Sequence, residues 1–207
     1  MVSNNFFLSK DGGIFVNTKR LILISALEHF SKNSFEGASL GVIASKAKIK
    51  KSSIYAHFNN KDDLFMSVFF HAEHQVKKRI IKYFTTRFGK EDITETLQSF
   101  PYFLLKNCEE EQNFCFLIRH AFFPPGDLAQ KISEQISLLL NYLEVLLTKH
   151  FRRFLTGRII TQPEAASLAY ITLVDGILVE SLFGFPEKAT LRMKAAWPIF
   201  CRGIFLS

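Results

Sequence analysis

Residues 39–64, SLGVIASKAKIKKSSIYAHFNNKDDL, read as two short helices, a tight turn between them and the opening of a third. Ser39 is a good N-cap, because its hydroxyl can take one of the orphan N–H groups of a first helical turn. Leu40, Ile43, Ala44 and Ala47 then recur at helical spacing and turn one apolar stripe inward. The stripe breaks at Lys48, with Ile49 as a buried turn residue. A second pattern follows in which Ile54, Tyr55 and Phe58 can pack, while Lys50, Lys51, Ser52, Ser53 and His57 face out. Two helices joined by a turn of three or four residues form a helix-turn-helix, whose second helix can lie in a major groove. Lysines and hydroxyls at the N-terminal end of that helix suit a polyanion, since the helix dipole adds positive potential there.

The stretch resembles the DNA-binding segment of TetR-family (tetracycline-repressor-like) transcriptional regulators. Ser39, Ile43-Ala44, Ala47, Ile54-Tyr55, His57-Phe58 and Lys61-Asp62 fall where that family's pattern has such residues, and Ile22, Leu23, Ala26, Leu27, Phe30 and Phe35 are similar to its first helix. The match covers about the first third of the chain. Two positions depart from it. Lys48 stands where the family has glycine, which predicts a non-glycine residue at positive φ. Lys50 stands where a small cap is usual, so the recognition helix starts nearer Ser52 or leaves its first turn to water. The resemblance implies an all-α protein with an N-terminal three-helix helix-turn-helix DNA-binding domain joined to a C-terminal helical ligand-binding and dimerisation domain. Gly12-Gly13 mark residues 1–16 as a flexible arm, and on the family's pattern 17–60 are the DNA-binding domain and 61–207 the regulatory body. It further implies a homodimer through the two C-terminal helices, a palindromic double-stranded operator, and a small apolar or amphipathic effector that releases a repressor. Chemistry and resemblance together put Lys50, Lys51, Ser52 and Ser53 in the groove. Ser39, Tyr55, His57 and Lys61 complete the DNA-binding set, the last three on phosphates.

The formal charge is +7 over 207 residues. Residues 1–60 hold eight basic and three acidic side chains, a net of +5, so most of the excess accompanies the motif. Concentrated there, it becomes the footprint of a nucleic-acid binder. The 23 phenylalanines are first a packed core and only secondarily a cavity lining. Cys108, Cys115 and Cys201 fit no zinc spacing and read as buried free thiols. MVSNNFFLSKDGGIF lacks the features of a secretory signal, so a cytoplasmic protein is expected. No nucleophile elbow, phosphate-cradling loop or paired acids argue for catalysis, and no cofactor is called for. His71 and His74 share a helix face, but without a third ligand they do not make a metal site. Two rival classes are a helical ligand- or metal-binding protein without a DNA role, and a helical enzyme.

Beyond the motif, apolar residues nearly every four predict a long helix over about 61–88. Helices follow over 91–108, bent at Pro101, and over 109–123, with three acids in its first turn. Another starts at an Asp127/Gln130 capping box and runs to about 154, stopped by Gly157. Thr161, Pro163 and Glu164 open a nearly apolar helix, and a last one spans about 187–205, kinked at Pro198. Asp175 and Glu180 inside the apolar helix argue against a membrane span, leaving a helix buried partly in its own body and partly against a second subunit. By resemblance the body's middle holds the effector, with Phe103, Phe114, Arg119, His120, Phe123 and Tyr142 as candidates.

Overall fold

The computed structural model describes residues 7–8, 14–15, 18–154 and 160–205. The expected arm over 1–16 lies outside the described residues, except that Phe7–Leu8 (β1) pairs antiparallel with Ile14–Phe15 (β2). Two residues a side carry too little alternation to be seen in sequence. The rest is helical: α1 Thr18–Lys32, α2 Leu40–Lys46, α3 Lys51–Tyr55, α4 Lys61–Arg87, α5 Ile93–Glu110, α6 Gln112–Phe122, α7 Ala129–Phe154, α8 Pro163–Leu182 and α9 Pro186–Ile204. The chain divides into two compact units, Met1–Glu73 and His74–Ser207. We call them the head and the body, and α4 contributes to both.

The head has its own core. Ile22, Ala26 and Phe30 from α1, Ile43 from α2, Ile54 from α3 and Leu64, Phe65, Val68 and Phe69 from α4 are fully or almost fully buried. Phe65 meets Phe30 and Phe35 edge-on at 5.0 and 5.1 Å, the geometry that opposes each ring's electropositive edge to another's face. The Glu28 carboxylate takes Lys46 at 2.8 Å and Lys32 at 3.0 Å. These bonds hold it at a pKa of about 2, but in the open they orient α2 on α1 more than they stabilise it. The start of α4 is closed by reciprocal bonds: the Asp63 N–H donates to Asn60 Oδ1 at 2.8 Å, and the Asn59 N–H donates to the Asp63 carboxylate at 2.9 Å.

In the body, α8 packs on α7 and α9, and α5 on α6 and α8. Buried tyrosines fix the register. Tyr170 donates to the Leu97 carbonyl at 2.7 Å and Tyr83 to that of Thr96 at 2.8 Å, so each polar tip finds an acceptor inside apolar surroundings. Trp197 of α9 is buried, its ring stacked 5.5 Å from Phe200 and edge-on to Tyr170 at 6.5 Å.

Three boundaries differ from expectation. The α5/α6 break falls at Glu111, whose extended backbone ends α5 and begins α6. Glu109 and Glu110 therefore close α5 instead of opening α6. Arg79 bridges Asn107 at 2.8 Å and Glu111 at 2.6 Å, a tertiary tie from α4 that local pattern does not contain. A 3-10 turn over Gly126–Leu128 precedes α7, so Asp127 does not cap that helix directly. Gln162, not Thr161, is the α8 N-cap, with Pro163 in the first turn. The stop expected at Gly157 lies outside the described residues.

Ile54 is the sole buried residue of α3 and is 0% exposed. Ile54→Ala should therefore cost the head about 2–5 kcal/mol, visible as an early loss of far-ultraviolet circular dichroism in a urea titration.

Candidate nucleic-acid interface and ligand cavity

Every residue of α3 other than Ile54 is at least partly open to solvent, and Lys50, Lys51, Ser52, Tyr55 and His57 are all exposed. The helix begins at Lys51. Lys50 is its N-cap but gives no side-chain capping bond, so the Lys51 and Ser52 N–H groups have no side-chain cap, while the Ser53 N–H donates to the Lys50 carbonyl at 2.9 Å. Ser53 is half-buried. Tyr55, expected to pack, instead turns out and is 52% exposed, because five residues offer one inward position and Ile54 takes it. Ser39 caps α2, its Oγ accepting the Gly41 N–H at 3.2 Å. The eighth residue of the set, Lys61, is engaged elsewhere. Its Nζ donates to the Glu36 carbonyl at 3.2 Å and lies 4.6 Å over the Phe35 ring, which makes it a tie within the head as well as a charge near the motif.

The turn into α3 has the positive φ that its sequence predicts: Lys48 sits at φ 55°. The Ile49 N–H donates to the Ala44 carbonyl and the Lys48 N–H to that of Ser45, both at 3.0 Å, which is the paired bonding of a Schellman ending. A lysine there adds charge beside α3 and bears the steric strain that glycine lacks.

His29, which the sequence did not single out, supports the start of the motif. Buried on α1, its Nε2 accepts the Ser39 N–H at 3.2 Å, so the imidazole holds the residue that begins α2. Burial first, then Lys46, lowers its pKa from the usual 6.5. The signal available was a histidine on the apolar face of α1, which pattern alone cannot distinguish from a surface residue.

The body holds a cavity of about 180 Å³ bounded by α4, α5, α6, α7 and α8. Of the six expected lining residues, Phe114 is on its wall. Phe103 packs instead on Tyr83 at 4.6 Å, and His120 is buried against Phe116 at 4.6 Å. Tyr142 lies under the Lys77 ammonium at 4.1 Å. Arg119 and Phe123 line a second, more polar depression of about 590 Å³ with Cys108, Glu109 and Cys115. Phe103 and His120 went to packing, because an aromatic ring fills a core as readily as it lines a gap. The two spaces share Ile118 and Leu178 as walls. The cavity residues not foreseen come from all five helices, among them Val76, Ile80 and Phe84 of α4 and Tyr170 and Asp175 of α8. The Cys108 thiol is pushed up to about 12, by burial first and then by Cys115 and Glu109, so it stays protonated and unreactive.

Residues 22–68 match the family model for bacterial regulatory proteins of the tetR family. The matched segment runs from α1 into α4, and in it the head is similar to that family. Its members are DNA-binding transcriptional regulators, not enzymes. Over 175 residues, 84% of this chain and 73% of the relative, the sequence is 25% identical to a fatty acid metabolism regulator protein of Bacillus subtilis. The fold is similar to that of a TetR transcriptional regulator from Chloroflexus aurantiacus, with a TM-score of 0.72 at 16% identity over 92% of this chain and 97% of that one. It is likewise similar to the fatty acid degradation regulator FadR of Bacillus halodurans, with a TM-score of 0.65 at 19% identity over 89% and 95%.

Two measurements test the head. Lys48→Gly should stabilise it by about 1 kcal/mol, by removing a side chain from left-handed backbone, while weakening duplex binding through the lost charge; both are read from urea melts and binding isotherms. His29 is favoured neutral by the fold, so its contribution is complete above pH 6.5 and is lost as pH falls through its lower folded pKa. Head stability should decline on acidification below 6.5, and His29→Gln, which cannot protonate, should flatten that part of the profile.

Proposed function

We propose that this chain is a transcriptional repressor that binds an inverted-repeat operator as a homodimer and lets go when a small apolar or amphipathic molecule enters the body. The observation that carries the reading is the exposure of Lys50, Lys51 and Ser52 on a helix anchored by a single buried isoleucine. A helix held that way offers its outer face without rearranging the head. In this reading Lys51 reaches a base edge, Lys50, Ser52 and Ser53 share the groove, and Ser39, Tyr55 and His57 fix register on phosphates. Lys61 acts through Phe35 and Glu36 as much as through DNA.

The dimer is assigned to α8 and α9. Leu168 is 52% exposed, Leu191 and Ile199 64% each, on helices whose other faces fill the body core. α8 is long and apolar enough to cross a membrane, with 33% of its apolar window buried. A second subunit accounts for the remainder better than lipid does, because Asp175 and Glu180 interrupt the helix. Two heads one DNA turn apart, roughly 34 Å, read a palindrome that one head cannot select. Because α4 runs unbroken from Lys61 to Arg87, a ligand pressing on Val76, Ile80 and Phe84 has a direct mechanical route to the head. By thermodynamic reciprocity, such a ligand must weaken DNA binding if DNA weakens its own. The place of action is the cytoplasm.

Selection from a random duplex library should enrich an inverted repeat, with affinity falling linearly in log–log salt plots. Lys51→Ala should relax the choice at one position of each half-site by about 1–3 kcal/mol; a uniform loss across all positions would move Lys51 to the phosphates. Leu191→Glu should give a monomer in sedimentation velocity and abolish selection. Failure to enrich any sequence, or a monomeric parent protein, overturns the proposal.

A further inference from the structure

We infer that the body cavity is built for a lipophilic molecule that ends in a cationic amine, with the Asp175 carboxylate as its anchor. The inference rests on reading the cavity as an effector site, and it adds the chemical class. Of the twenty side chains on the wall, eighteen are hydrocarbon. The two polar ones differ sharply. Tyr170 already donates its hydroxyl to the Leu97 carbonyl at 2.7 Å. Asp175, among the described residues, has no hydrogen bond and no ion pair. The comparison within its own helix is informative, because Glu180, five residues on, is paired with Arg192 at 2.6 Å. Of the three acids of α8, Glu164 pairs with Arg152 and Glu180 with Arg192, and Asp175 alone faces an apolar space.

A carboxylate facing hydrocarbon has lost part of its hydration without a partner to replace it, and burial raises the Asp175 pKa accordingly. A ligand ammonium would restore what was lost through a charge-assisted hydrogen bond in a site that water reaches poorly. A ligand carboxylate would do the opposite, placing like charges together unless one of them takes up a proton. Apolar walls with one well-placed polar group are the usual way a small-molecule site combines affinity with orientation. Size narrows the class further. An apolar cavity of ~150 Å³ accommodates benzene, so about 180 Å³ suits one ring with a short chain.

Three probes of nearly equal shape separate the possibilities: 2-phenylethylamine, propylbenzene and 3-phenylpropanoate, each titrated into the full-length protein at pH 7 by calorimetry. The amine should bind at least tenfold tighter than the other two. In Asp175→Asn, whose fold is checked by its circular dichroism melt, that preference should vanish while propylbenzene binding stays within twofold. Equal or tighter binding of the acid, no binding of any probe, or an amine affinity unchanged in Asp175→Asn overturns the inference; the ranking on the parent protein decides the matter even if the variant is unstable. Operator binding is followed separately. If the amine ranks first but leaves the protein–DNA complex intact, the effector reading fails and the amine site stands. If the protein selects an operator and the acid outranks the amine, the amine assignment alone fails.

Discussion

A helix of five residues cannot sustain itself in water, because nucleation costs more than so few hydrogen bonds return. α3 exists because Ile54 is clamped in the head core and because the turn before it is locked by bonds from Ile49 and Lys48 back to Ala44 and Ser45. That constraint organises the N-terminal unit. α1 and the first turns of α4 supply the aromatic floor, α2 supplies the carbonyls that close the turn, and His29 holds Ser39, from which α2 departs. With its inner face committed, α3 has its lysines and hydroxyls left for solvent or a polyanion. Specific presentation thus arises from burial of one side chain, not from any strength in the helix itself.

The head was legible because its signals are local. Caps, an apolar stripe and a break at Lys48 all lie within a few residues of what they control, and the left-handed lysine follows from one substitution in a familiar pattern. Tyr55 and Lys61 were less legible. Whether Tyr55 packs depends on how many inward positions a short helix has, and whether Lys61 is free depends on Phe35 and Glu36, some 25 residues away in sequence. His29 was missed for the same reason, since its partner is the backbone of Ser39.

The body shows the limit more plainly. Its helices were visible in periodicity and breakers, but the α5/α6 junction falls at Glu111, which is bonded to Arg79 of another helix. The cavity was harder still. A wall and a core are made of the same phenylalanines and leucines, and only the angles between helices decide which of them face empty space. The distinguishing feature was a charge in the wrong company: Asp175 stands out in an apolar helix from composition alone, although its setting does not.

The chain has one tryptophan, Trp197, packed among Tyr170 and Phe200 of the body. Intrinsic fluorescence excited at the indole band is therefore a local dosimeter. It records what happens around α8 and α9 and is blind to melting of α1–α3, so a chain whose N-terminal third has already unravelled would still emit like an intact one.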